Sequence, residues 1–102
     1  MSALVVLFNL KSGVNSVAYE EWARTVDLPT VRRLTNCARY DVFKSIGRLG
    51  SDAPPPYQYV EFIELVDYDK FLMEIGETKM QEVAAQFHTF AEAPIFIHVD
   101  AL

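Results

Sequence analysis

The chain has 102 residues, of which 51% are hydrophobic, 13% aromatic and 23% charged, enough for one modest core and far from the signature of disorder. A single domain spanning residues 1–102 is expected. The net charge of −5 argues against a nucleic-acid partner, because phosphate binding rests on clustered Lys and Arg.

Ala3–Leu10 (ALVVLFNL) is apolar on both alternating faces and runs into Lys-Ser-Gly, which predicts a strand covered on both sides. Ser16 is placed to cap a helix in which Ala18, Tyr19, Trp22 and Val26 recur at helical spacing. Pro29 disfavours helical geometry at Leu28, so this helix is expected to break near Asp27 and restart through Thr30–Leu34. Cys37–Ile46 reads as a half-exposed strand, and Gly47–Pro56, with three consecutive prolines, as a loop of about ten residues.

Tyr57–Val66 is a further apolar strand, with Tyr57, Tyr59, Glu61 and Ile63 on one face and Gln58, Val60, Phe62 and Glu64 on the other. Asp67 opens a short helix to Ile75, ended by Gly76. Thr78 and Gln81 match a capping box for a helix to Phe90, with Met80, Val83, Ala84 and Phe87 as its core stripe. Pro94 introduces a last strand, Ile95–Val99, whose Ile95, Ile97 and Val99 are read as inward and whose Phe96 and His98 are read on the face that a partner or ligand covers.

Residues 1–50 carry seven basic and four acidic side chains, residues 51–102 two and ten, a division that suits either packing between chains or two differently solvated faces. One cysteine, Cys37, excludes an intrachain disulfide, and the N-terminus shows no secretory signal, so a reducing cytoplasm is expected. The longest apolar run, Ala3–Phe8, has six residues where a membrane helix needs about 20, and no membrane partner is expected.

The order β-α-β-β-α-β is that of the ferredoxin-like plan, an α+β fold with an antiparallel sheet and both helices on one face. Strands apolar on both faces need a second cover, and another copy of the chain is the economical one, so a homodimer is expected.

The segments YEEWARTVDLPTVRRL, PPYQYVEFIEL, ETKMQEVAAQFHTF and APIFI together resemble the REDY-like HapK family, within the dimeric α+β barrel superfamily. The resemblance covers nearly the whole chain. It implies a dimer whose two sheets pack face to face, and a ligand cavity between sheet and helices. It also implies a place in secondary-metabolite biosynthesis, including prodiginine-type pathways with flat pyrrole-type intermediates. Relatives in the superfamily include cofactor-free monooxygenases, isomerases and cyclases, alongside members without demonstrated catalysis, and fold alone does not choose among them. Tyr19, Trp22, Asp27 and Pro29 are similar to the helix-end pattern of EthD-like barrel proteins, with Asp27 where that pattern has a histidine. Carried over, the pattern points Asp27 into the cavity and removes imidazole chemistry there.

Four groups are candidates for acid–base chemistry. Asp27 is either a pocket carboxylate or the cap of the restarted helix. Glu61, mid-strand, either meets a ligand or a proton, or pairs with an Arg from a neighbouring strand or subunit. His88 and His98 are the only side chains with an unperturbed pKa near neutrality. Tyr19, Trp22, Tyr59, Phe87 and Phe96 supply either a core or a flat-ligand pocket.

No HExxH or paired CxxC spacing supports a metal, Cys37 reads as a small hydrophobe, and no glycine-rich phosphate loop is present, so neither metal nor cofactor is expected. Three functions follow: cofactor-free cyclisation, dehydration or water addition on an aromatic pyrrole- or indole-type molecule; a non-catalytic escort that binds an intermediate or a pathway enzyme; and a structural partner using the acidic half.

Overall fold

The computed structural model describes residues 1–102. Ser2–Leu10 forms β1, which lies inside the sheet, where neighbours on both sides satisfy its backbone groups and its two apolar faces are both usable. Cys37–Lys44 forms β2, Tyr59–Leu65 β3 and Ala91–Asp100 β4, giving one antiparallel sheet in the order β2-β3-β1-β4. With β3 inserted between β1 and β2, this is the ferredoxin-like α+β fold expected from the element order.

Between β1 and β2 the chain forms α1 (Ser16–Trp22), a π-helical segment (Ala23–Asp27) and α2 (Leu28–Arg32). Between β3 and β4 it forms α3 (Tyr68–Ile75) and α4 (Thr78–Phe90). No helix is long and apolar enough to cross a membrane.

The helices cover one sheet face through two core clusters. In one, Val6, Phe8 and Tyr59 of the sheet meet Tyr19, Ala23 and Phe87; in the other, Tyr40, Ile63 and Leu65 meet Val31, Phe71 and Met80. Phe8 is the hub of the first, with the Phe87 ring 4.9 Å away edge-on and the Tyr59 ring stacked at 5.5 Å.

Several local expectations are corrected. Asn15, not Ser16, caps α1, its side chain accepting from Val17 N–H at 2.8 Å. Thr78 is the first residue of α4, and the preceding Glu77 makes no side-chain cap, so the capping box is absent. The helix does not break at Asp27: Leu28 is helical, and its N–H bonds to Ala23 C=O, a five-residue span. Widening the turn by one residue accommodates Pro29, which has no donor and would crowd the carbonyl four residues back in a regular α-helix.

β4 begins at Ala91 rather than Ile95, because an edge strand tolerates Pro94. A register shift between Leu7 and Asn9 and a positive φ of 40° at Ala93 absorb the irregularity. Pairing of Val6 with Phe96 and Leu4 with His98 puts Phe96 and His98 on the helix-covered side, the reverse of the sequence reading. Alternation separates two sets of residues, but only the partner strand decides which set faces in.

The face away from the helices carries Val5, Leu7, Val60, Phe62, Ile95 and Ile97 by register. Phe43, Ile95 and Ile97 are 49%, 42% and 41% exposed. The two charge halves do not neutralise each other within the chain. Glu20 pairs with Arg24 and Lys44, Asp41 with Arg32 and Arg39, and only the Met1 amino group with Asp100 joins the first half to the second.

Glu74 of α3 ties the helical layer to the entry of β2. It accepts from Thr35 N–H at 2.8 Å and from the Asn36 backbone and side-chain N–H groups at 2.7 Å each. Burial opposes the charge, yet these three bonds outweigh it and hold the carboxyl below its ordinary range. Glu74→Ala is therefore expected to lower stability by about 1–3 kcal/mol at pH 7. In urea unfolding the loss should shrink at acidic pH, where protonation has already removed the wild-type advantage.

Candidate functional site

The site is built from the inward face of β3. Tyr59, Glu61, Ile63 and Leu65 alternate onto the helix side, so the strand that carries core residues also carries one carboxylate into the interior. Register sets Glu61 opposite Val6 on β1 and Val42 on β2, neither of which can pair with it. Asp27, at the end of the π-helical segment, and Tyr40 of β2 complete the polar group. Asp27 and Glu61 are each 5% exposed and Tyr40 is buried.

The Tyr40 hydroxyl lies 2.7 Å from Asp27 Oδ2 and 3.0 Å from Glu61 Oε1. Glu61 Oε2 is buried without a partner, and no Arg within the chain reaches it. Asp27 makes no capping bond with its side chain, so of its two readings the structure places it as a buried carboxylate rather than a cap.

These groups form the polar wall of a cavity of about 190 Å³ between sheet and helices. The rest of the lining is almost wholly apolar: Leu4, Val6 and Ile63 from the sheet, and Val31, Phe71, Met80, Val83 and Phe87 from the helices. His88 of α4 also lines it, with half-exposed Phe96 of β4.

Burial pushes Glu61 up to about 8, with the neighbouring Asp27 charge adding to the rise and the Tyr40 hydrogen bond opposing it. Burial likewise raises Asp27 to about 6 against the Tyr40 bond, and lifts the Tyr40 phenol well above its ordinary value. At neutral pH the pair thus divides into a protonated Glu61 and an ionised Asp27, one acid and one base at the same apolar wall.

Five of the nine sequence candidates line this cavity: Asp27, Glu61, His88, Phe87 and Phe96. The other four lie elsewhere. Tyr19 is fully buried among Phe8, Tyr59 and Phe90. Trp22 packs on Phe90 and donates its indole N–H to Gln86 at 2.6 Å. Tyr59 donates to Glu20 Oε2 at 2.7 Å, beside a separate, smaller cavity of about 110 Å³. His98 is exposed, stacked on Tyr68 with centroids 3.8 Å apart and bonded to Ser2 Oγ.

Helical spacing puts Tyr19 and Trp22 on the buried stripe of α1, but packing between α1 and α4 consumes their faces. Tyr40 was not a sequence candidate. Its only sequence signal is its alternation with Val42 in CARYDVFK, and that does not reveal which strand lies beside it. None of the residues 47–56 lines the cavity; the loop closes on itself, with Arg48 donating to Pro54 C=O, and on Asn9. No group of three or more His, Cys, Asp and Glu side chains is placed to hold a metal ion.

Both carboxyl pKa values are raised, so the folded chain keeps protons that the unfolded chain releases, and stability falls as pH climbs through that interval. Between pH 5 and pH 8 the wild type is expected to lose about 5 kcal/mol, most of it through Glu61. Glu61→Gln, which removes the larger part of the penalty, should flatten the dependence and be the more stable protein at pH 8. Urea melts across this range check the slope.

A family model, the REDY-like protein HapK, matches residues 2–102. Among solved structures, HapK from Hahella chejuensis superposes with a TM-score of 0.83 at 24% identity, covering 100% of this chain and 93% of its own. The hydroxynitrile lyase of Passiflora edulis follows with a TM-score of 0.80 at 11% identity, covering 99% of this chain and 93% of its own. SnoaB, a cofactor-independent oxygenase from Streptomyces nogalater, has a TM-score of 0.74 at 14% identity over 98% of this chain and 91% of its own. At these identities the structures establish the shared ferredoxin-like fold. No curated protein gives a significant match. With the family model spanning all but the first residue of a chain that has this fold, the protein belongs to the REDY-like HapK family.

Proposed function

We propose that the protein binds a small flat aromatic molecule of the pyrrole or indole type, an intermediate of secondary metabolism, and acts on it by cofactor-free acid–base chemistry. The observation that carries this reading is the Asp27–Tyr40–Glu61 group on the wall of an otherwise apolar cavity. Two buried carboxyls are costly to a fold that uses them only for packing, and unequal pKa values are what proton transfer in both directions requires.

Size supports the ligand class. An apolar cavity of about 150 Å³ accepts benzene, so about 190 Å³ suits a ring system little larger, with half-exposed Phe96 as a stacking surface. That structural neighbours include a lyase and a cofactor-independent oxygenase agrees with a cavity fold able to work without a cofactor. The chemistry that fits a neutral acid beside a carboxylate is dehydration, water addition or cyclisation, with Glu61 and Asp27 exchanging protons with the ligand and His88 across the cavity. His98 stands outside this constellation.

The open sheet face supports a homodimer. Its Val5, Leu7, Val60, Phe62, Ile95 and Ile97 form a continuous apolar surface that a second copy would cover, sheet against sheet.

A thermal-shift panel of indoles, pyrroles and phenols tests the binding. A ligand at about ten times its Kd adds about 1.4 kcal/mol, which raises the Tm of a 100-residue domain by roughly 5 °C or more. Glu61→Gln should keep binding and lose turnover by about 10²-fold or more. Equal turnover in the variant removes Glu61 from the chemistry, and binding without turnover by the wild type points instead to an escort that holds the molecule without reacting it. Sedimentation equilibrium tests the dimer: Phe43→Glu combined with Ile97→Glu should yield a folded monomer, and an unchanged mass excludes this face as the interface.

A further inference from the structure

The hydrogen-bond count around Tyr40 says more than acid–base character. A phenol has one proton, yet the Tyr40 oxygen lies within bonding distance of two carboxyl oxygens. If both carboxyls were ionised, one of the two contacts would set lone pair against lone pair in a buried site. Two arrangements give each contact one hydrogen, with the carboxylic proton on Glu61 or on Asp27, and the two distances favour Glu61. Tyr40 then donates to Asp27 Oδ2 at 2.7 Å, the length of a charge-assisted O–H···O⁻ bond, and accepts from the carboxylic O–H of Glu61 Oε1 at 3.0 Å, an ordinary neutral bond. Glu61 Oε2 is then a carbonyl-type oxygen with free lone pairs, buried and unpartnered, on a residue of the apolar cavity wall.

We propose that Asp27 and Glu61 share a single carboxylic proton across the Tyr40 hydroxyl, as Glu61 COOH···Tyr40 OH···Asp27 COO⁻, and that Glu61 Oε2 is the seat for one N–H or O–H donor on an otherwise apolar ligand. This deepens the proposed function and rests, in its ligand half, on the reading of the cavity as a binding site.

Beside Glu61 Oε2, the Tyr19 hydroxyl is also buried without a partner, and no hydrogen bond joins the two. Around Glu61 the titratable groups are Asp27 on the π-helical segment, Tyr40 on β2 and Tyr19 on α1, with His88 of α4 on the cavity wall. β1 presents Val6, β4 Phe96, α2 Val31 and α3 Phe71. The raised pKa of Glu61 is in keeping with its holding the proton.

The trio also moves a proton without gaining or losing one. Tyr40 passes its proton to Asp27 Oδ2 and takes the one on Glu61 Oε1, so Asp27 becomes the neutral acid and Glu61 a carboxylate against the ligand's donor. Tyr40 is thus a positioning and relay residue, and the ligand signature is a flat ring with one donor, as in a pyrrole or an indole. A ring whose only polar atom is an acceptor leaves Oε2 unpaired and is disfavoured.

Glu61→Gln mimics the neutral acid, since its amide N–H can donate to Tyr40 while its carbonyl oxygen keeps the seat. Infrared difference spectroscopy at pH 7 should show a protonated-carboxylic-acid carbonyl band in the wild type that disappears in Glu61→Gln and shifts in Tyr40→Phe. Absence of the band, or an unmoved band in Tyr40→Phe, overturns the shared proton whether or not any ligand binds. Calorimetry with indole and its hydrocarbon counterpart indene tests the seat: indole should bind at least tenfold more tightly to the wild type and to Glu61→Gln alike. Equal affinities overturn the seat while leaving the cavity reading intact, and failure of both probes to bind removes the ligand half together with the proposed function.

Discussion

Two carboxyl groups buried within reach of one phenol are the constraint around which the rest of this molecule is arranged. Burying an unpaired charge costs several kcal/mol, and here the cost is met by a single hydroxyl contacting both groups. That bridge needs β2 beside β3, so that Tyr40 stands near Glu61, and it needs the helical connection to deliver Asp27 from above. The π-helical turn makes the delivery possible. By adding a residue to one turn it passes Pro29 without a break and leaves Asp27 facing inward instead of capping α2.

The cavity follows from the same arrangement. Two core clusters fill the sheet–helix interface, one around Phe8 and one around Ile63 and Phe71, and the polar group lines the space that the apolar side chains leave. α3 is held by Glu74 to the turn before β2, so the helix forming one wall of the cavity is coupled to the strand that carries Tyr40. On the other side of the sheet, apolar residues of β1, β3 and β4 stand in register without a covering layer. One sheet thus has two distinct faces: the inner one shapes the cavity, and the outer one leaves apolar residues uncovered.

Much of the fold was legible because it rests on local signals. Apolar runs of strand length, the loop glycines and prolines, and the 3.6-residue stripes of α1 and α4 gave the element order, and in a chain this short that order admits few arrangements. Helix caps were less legible: Asn15 and Ser16 are both good capping residues, and backbone geometry alone chose between them. Half of the site was readable from chemistry. A glutamate in the middle of an apolar strand signals either a partner or a purpose, and Glu61 proved to line the cavity together with Asp27.

The remainder depended on register. A period of two divides a strand's residues into faces without saying which face is buried, so Ile95 and Ile97, expected inward, stand on the uncovered face while Phe96 and His98 lie on the helix side. Tyr40 could not be tied to Asp27 or Glu61, which are 13 and 21 residues away along the chain. By itself the sequence determined the elements, their order and the presence of one carboxyl, Glu61, in the middle of an apolar strand, all consequences of composition and spacing along one dimension. Only the tertiary structure decided that this carboxyl and Asp27 meet at one hydroxyl, because hydrogen bonds between strands and helices are set by distances in three dimensions that no local pattern encodes.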